Sequence, residues 1–240
     1  MKKIILTAIA ALFAAATVSA QDVNQAIENL NNGVMSQQMG DNASALEFFK
    51  QALAIAESCG DAGNDVVAQC KTVIPATIFA IGKQYIDNDD YDNAIATLNE
   101  AMTSAKEYGN TEVQDAVPER LFQAYFLKGN SLIKAKNLAG AIEAINQAIA
   151  IDPENGRAYL LLGSAYASSG KIADADSAYT KAGKYGEESS AAKQLTNLYL
   201  RVANSYYKSA KYNEAIAAAE KSASYNASNA NAYLIAANSS

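Results

Sequence analysis

The chain has 240 residues, half of them hydrophobic and only 18% charged, with a formal net charge of −6. An acidic chain with no Lys/Arg cluster repels phosphate backbones, so nucleic acid is excluded as a partner class. Histidine is absent, which removes Ser-His-Asp and Cys-His catalysis and the commonest zinc and iron ligand. With no acid pair standing out in its place, we expect no enzyme, and assign no catalytic, cofactor-binding or metal-binding residue.

Residues 1–20 read as a cleaved signal peptide. Lys2 and Lys3 supply the positive start, Ile4 to Val18 a short apolar run, and Val18-Ser19-Ala20 a small-x-small cleavage pattern ahead of Gln21. The run is short for a membrane span, and no Cys follows the cut to take a lipid. No later stretch reads as long and apolar enough to cross a bilayer. The expected mature protein, 21–240, is soluble, not membrane-embedded, and exported to the periplasm or beyond. Its next landmark is the pair Cys59 and Cys70, eleven positions apart, read as a disulfide across one helix–helix turn because an exported compartment is oxidising.

From there the chain repeats itself. An apolar or aromatic residue, a few small or polar ones, then Ala and an aliphatic recur as Tyr91-Asp92-Asn93-Ala94-Ile95, Leu138-Ala139-Gly140-Ala141-Ile142 and Tyr212-Asn213-Glu214-Ala215-Ile216. Looser copies surround Ala45 and Ala175. Between the anchors lie apolar residues at helical spacing, such as Tyr159, Leu162 and Tyr166. Breaks fall at Asn88-Asp89-Asp90, Lys136-Asn137, Asp152-Pro153-Glu154-Asn155 and Ser169-Gly170-Lys171. The carboxylates Asp87, Asp89, Asp90 and Asp92 read as a solvated turn with capping acids, since the Gly and closing Glu of a calcium loop are missing. Pro75 and Pro118 are read as starting or kinking helices in the longer joins 57–74 and 104–121.

The copy at 156–189 resembles the tetratricopeptide repeat: Tyr159, Leu162-Gly163, Tyr166, Ala175, Tyr179 and Ala182 fall on the pattern's positions, and the anchors Ala141 and Ala175 stand one 34-residue period apart. Poorer copies begin near Ala26, Pro75, Phe122 and Thr196. The resemblance implies an all-α, right-handed α-solenoid of about five helix-turn-helix units. These are placed near 22–60, 64–108, 112–153, 154–186 and 187–227, with a capping helix over 228–240.

In that family the first helix of each unit lines an inner groove. Carried over position by position, the groove residues are Phe79, Lys83 and Ile86; Phe126, Asn130, Ile133 and Lys134; Arg157, Leu160 and Ser164; and Asn197, Leu200, Asn204, Tyr207 and Lys208. The resemblance therefore implies a scaffold for protein–protein interaction that holds a partner peptide or helix in the groove, without a cofactor. The alternative is a ligand-binding protein, for example for glycans, built on the same frame. Partner and oligomeric state are not readable from the sequence.

Overall fold

A computed structural model describes residues 2–239, with side chains described from Ala20 onward. The expected signal peptide therefore lies outside the described side chains. The described elements are helical throughout: α1 (Lys2–Gln38), α2 (Asn42–Ser58), a 3-10 turn (Gly60–Gly63), α3 (Asn64–Asp87), α4 (Tyr91–Tyr108), α5 (Thr111–Lys134), α6 (Leu138–Ile151), α7 (Gly156–Ser168), α8 (Ile172–Ala182), a π turn (Gly183–Glu187), α9 (Glu188–Lys208), α10 (Tyr212–Tyr225) and α11 (Ala230–Ser239). The fold class is an all-α helical repeat. The chain divides into two compact units, Met1–Leu121 and Phe122–Ser240, the boundary falling inside α5.

The hairpins are set by a turn that recurs five times. In each, the backbone N–H just before the second helix donates to a carbonyl five residues back: Asp41 to Ser36 at 2.9 Å, Asp90 to Tyr85 at 2.9 Å, Asn137 to Leu132 at 2.9 Å, Lys171 to Tyr166 at 3.0 Å and Lys211 to Tyr206 at 3.0 Å. That is the 6→1 bond of a Schellman motif, and it needs a left-handed residue in between. Gly40 and Gly170 fill that position in two turns; Asp89, Lys136 and Ala210 adopt positive φ in the other three. The residue after it caps the second helix. Asp41 accepts from Ser44 N at 3.0 Å, Asp90 from Asn93 N at 3.3 Å and Asn137 from Gly140 N at 3.1 Å.

Packing within a hairpin turns on one close approach. A Cβ added at Gly163 would lie 2.5 Å from the Tyr179 ring, one at Gly129 2.5 Å from Ile145, and one at Gly82 2.8 Å from Leu98; Gly33 meets Phe49 in the same way. Each glycine precedes its partner by sixteen residues. The fifth hairpin keeps that spacing but changes both sides, with Ala203 and Ala219 in one buried cluster. A small residue against a large one has become two small ones.

In the first unit, α1 packs on α2, α2 on α3 and α3 on α4. Phe49, Leu98, Ile78 and Val117 are fully buried there. Pro75 and Pro118 neither start nor break a helix but sit inside α3 and α5; the long joins prove to be N-terminal extensions of those helices. One sequence expectation is corrected. The stretch Gly60–Asp87 is long enough, and holds an 18-residue window apolar enough at a mean hydropathy of 1.2, to cross a membrane. It carries Val66, Ile74 and Ile78 into the unit's core, which accounts for its composition.

The expected Cys59–Cys70 disulfide is not formed: both are free thiols. Cys59 ends α2 and its Sγ–H points at its own helix, at the Ile55 carbonyl 3.2 Å away. Cys70 is buried in α3, where loss of solvent, and then the Glu57 carboxylate, push its thiol up to about 11.

In the second unit, Tyr159, Leu162, Ile145 and Ala182 share one core cluster, and Tyr179, Leu195 and Leu198 another. The π turn bends the chain through Gly186 at φ 90° and lays Tyr185 on Tyr159, ring centroids 5.5 Å apart. The last helix is tied down by a buried hydroxyl: Ser222 Oγ donates to the Thr196 carbonyl at 2.8 Å and accepts from Asn229 Nδ2 at 3.1 Å. Ala232 of α11 is buried, yet Tyr233 and Leu234 are more than half exposed. A cap with a polar outer face is therefore only half realised.

The turn geometry makes a prediction. Ala210 holds a left-handed conformation that costs an L-residue about 1–2 kcal/mol. Gly loses roughly 0.5–1 kcal/mol more backbone entropy on folding. Ala210→Gly should thus stabilise slightly, raising the thermal midpoint by about 1–3 °C, whereas Gly170→Ala, in open space at φ 76°, should lower it. Calorimetry giving shifts of the same sign for both would contradict the assigned turn.

Candidate functional site

The residues named for the groove do not share one environment. In the first unit, Phe79 is half-buried and Lys83 is exposed, its ammonium 5.9 Å from the Phe79 ring centre. Ile86, at 5% exposure, belongs to the core. This corrects its assignment: the last turn of α3 rotates it inward, where no ligand reaches it.

In the second unit the C-terminal half of α5 and the helices α7 and α9 carry the remaining residues. Phe126 is half-buried and stacks on Phe122, centroids 5.9 Å apart. The Arg157 guanidinium, from the start of α7, lies 6.0 Å over the Phe126 ring. Two successive first helices are thus joined by a cation–π contact. Asn130 is half-buried and Lys134 exposed. Ile133 and Leu160 pack against the core cluster around Ile145 and Tyr159, and Leu200 packs against that around Ala203, so all three act as packing residues. Ser164 faces Tyr179, whose hydroxyl it hydrogen-bonds. On α9, Asn197, Asn204, Tyr207 and Lys208 are exposed. Asn204 Nδ2 donates to the Leu200 carbonyl at 3.0 Å, and Tyr207 meets Tyr212 edge-on at 5.9 Å.

Three features were not anticipated from the sequence. The first is a set of concavities. One of about 290 Å³ lies over α3 between α2 and α4, lined by Leu53, Ile74 and Ile78 with Glu57, Glu100 and Glu107 among its polar groups. Another of about 250 Å³ lies over α7 between α6 and α8, with Tyr159, Tyr166, Asp174 and Lys181. A third of about 330 Å³ opens beside α9, lined by Ala167, Ile172, Leu198, Arg201, Val202, Ser205 and Tyr206.

The second is a polar bridge from α8 to α10. Lys221 Nζ donates to Asp176 Oδ2 at 3.2 Å and to the Tyr199 hydroxyl at 2.6 Å, and Tyr225 donates to Asp176 Oδ1 at 3.4 Å. These bonds, that to Tyr199 foremost, hold the Lys221 ammonium above the usual lysine range. The bridge ties α8, α9 and α10 together and works as a strap.

The third is the exposed tyrosine group Tyr206, Tyr207 and Tyr212 at the α9–α10 turn. A signal for it lay in the sequence: Ser189 to Asn213 contains Lys193, Arg201, Lys208 and Lys211 and not one carboxylate. Among the described residues, no group of His, Cys, Asp or Glu is arranged to hold a metal ion. Of the clustered aspartates, Asp87 ends α3 and Asp92 lies in the first turn of α4, while Asp90 caps α4 and Asp89 accepts from the Tyr91 hydroxyl at 2.5 Å.

Residues 76–108 and 132–199 match family models described as tetratricopeptide repeat. No curated protein matches the chain. Among solved structures, it is similar to the TPR2AB domain–pHSP90 complex of yeast Sti1, at 17% identity over 90% of this chain and 98% of that one, with a TM-score of 0.33. It is similar to MamA of Desulfovibrio magneticus at 18% identity over 86% and 97%, with a TM-score of 0.34. It is also similar to YrrB, described as a TPR protein with an unusual peptide-binding site, at 14% identity over 92% and 96%, with a TM-score of 0.36. The two family matches fall on the hairpin α3–α4 and on the run from the end of α5 into α9, and over those residues the chain is built of tetratricopeptide repeats.

Proposed function

We propose that this chain is a protein-interaction scaffold whose second unit holds an extended or helical peptide of a partner against the first-helix face of α5, α7 and α9. The observation that carries this reading is the exposed set on that face. Arg157, Asn197, Asn204, Tyr207 and Lys208 are exposed there, and the half-buried Phe126 lies beneath the Arg157 guanidinium. Aromatic and Arg side chains are the usual anchors of an interface, and an Asn amide offers both a donor and an acceptor to a peptide backbone. Ile133, Leu160 and Ser164 support the face from beneath.

The test is a pull-down with the tagged full chain beside a Phe126→Ala/Tyr207→Ala variant shown by circular dichroism to be folded. We expect a protein partner, identified by mass spectrometry, to be retained by the wild type and lost by the variant. Identical partners on both baits, or none on either, would overturn the assignment of this face.

The same proposal places the protein outside the cytoplasm, on the strength of Lys2, Lys3 and the apolar run ending at Val18-Ser19-Ala20. Loss of Lys2 and Lys3 takes the net charge from −6 to −8. The intact mass of protein recovered from the periplasm of a bacterial host should begin at Gln21; a cytoplasmic product retaining Met1 would refute export.

A further inference from the structure

The basic, tyrosine-rich end of α9 is unlike the rest of an acidic molecule, and it adjoins a cavity. The cavity has an apolar floor: Leu198 is 1% exposed, and Ala167, Ile172 and Val202 are partly buried around it. Its rim is cationic and aromatic. Arg201 lines it directly, and Tyr206 lines it while carrying the Lys211 ammonium 6.0 Å over its ring. Lys171, next to Ile172 in chain, sits 5.8 Å over the Tyr166 ring. The carboxylates nearest in sequence are Asp174 and Asp176 on α8, Glu188 in the first turn of α9 and Glu214 in the first turn of α10, with Asp176 engaged by Lys221 and Tyr225.

In a chain of net charge −6, a rim carrying Arg201, with Lys211 held over Tyr206 beside it, is a place where an acidic partner meets attraction rather than repulsion. Complementary charge steers encounter and selects partners, while the apolar floor takes a side chain out of water.

We propose that this surface docks an acidic peptide segment of a partner protein, which inserts one apolar side chain between Ile172, Leu198 and Val202 while its carboxylates face Arg201 and Lys211. The inference deepens the scaffold reading and rests on it: it names the chemistry of the partner and a docking point distinct from the Phe126–Arg157 pair. An aromatic-lined, cationic rim also discriminates, since a basic segment with the same apolar residue would meet like charge.

The experiment is fluorescence anisotropy with the full chain and two labelled synthetic peptides, one a leucine flanked by glutamates, the other the same leucine flanked by lysines. The acidic peptide should bind on the order of tenfold tighter or more than the basic one, and should weaken as salt rises. Arg201→Glu/Lys211→Glu should abolish that preference. Ser205→Trp, at an exposed position on the cavity wall, should weaken binding by a similar factor without altering charge, and both variants are checked for native helicity. Equal binding of the two peptides, or acidic-peptide binding unaffected by both variants, would overturn the inference. If that happens while Phe126→Ala/Tyr207→Ala still loses its partner, the scaffold reading stands and only the acidic docking point falls.

Discussion

Every hairpin in this chain is organised around one point where two helices come too close for an ordinary pair of side chains. The first helix offers a glycine and the second a Phe, Leu, Ile or Tyr sixteen residues later. The glycine costs helix propensity, roughly 1 kcal/mol against Ala, yet it is kept in four hairpins because a Cβ there would enter the partner side chain. Where the fifth hairpin places Ala203 instead, the partner has shrunk to Ala219. The constraint is thus the summed volume at the crossing rather than glycine itself, as expected of interiors packed at crystal-like density.

Given that crossing, the rest follows in order. The Schellman turn fixes the entry of each second helix, and a capping Asp or Asn reinforces it in three of the five turns. Within each unit the second helix then covers one side of the first, and the next hairpin covers another. What is left uncovered on each first helix becomes the available surface. On α9 that surface is unusual in both charge and aromatic content, which is why the functional argument concentrates there. The second helices present shallow concavities of their own, but around α10 the Asp176–Lys221–Tyr199 bridge occupies the corresponding place.

The repeat was legible in the sequence because its signals are side chains of fixed size at fixed spacing: the anchoring alanines, the crossing glycines, and tyrosines two turns apart. The turns were legible only in part. A left-handed residue is announced by Gly at 40 and 170, but Asp89, Lys136 and Ala210 are placed there by the Schellman bond against their own preference. Pro75 and Pro118 pointed to helices starting or kinking there, and they lie inside α3 and α5. The groove was less legible still. Position in the repeat put Ile86, Ile133, Leu160 and Leu200 on the same face as Phe126 and Tyr207, but a helix face has blurred edges, and neighbouring packing claimed the four aliphatics. The cysteine pairing rested on compartment chemistry, which says nothing about where each Sγ points. The basic run along α9 was visible as composition, while its meeting with a cavity required three dimensions.

The volume constraint is most directly tested by a double-mutant cycle on Gly163 and Tyr179, read by chemical denaturation. In the wild-type background Gly163→Ala adds a methyl 2.5 Å from the Tyr179 ring. Overpacking, about 1–3 kcal/mol, should then outweigh the helix-propensity gain of roughly 1 kcal/mol, and the protein should lose stability. In a Tyr179→Ala background the ring is gone, as in the Ala203–Ala219 hairpin, and the same substitution should stabilise by roughly 1 kcal/mol. A reversal of sign between the two backgrounds is the predicted result. An effect of the same sign and size in both would show that the two residues do not share one space, and the account of how these hairpins close would be wrong.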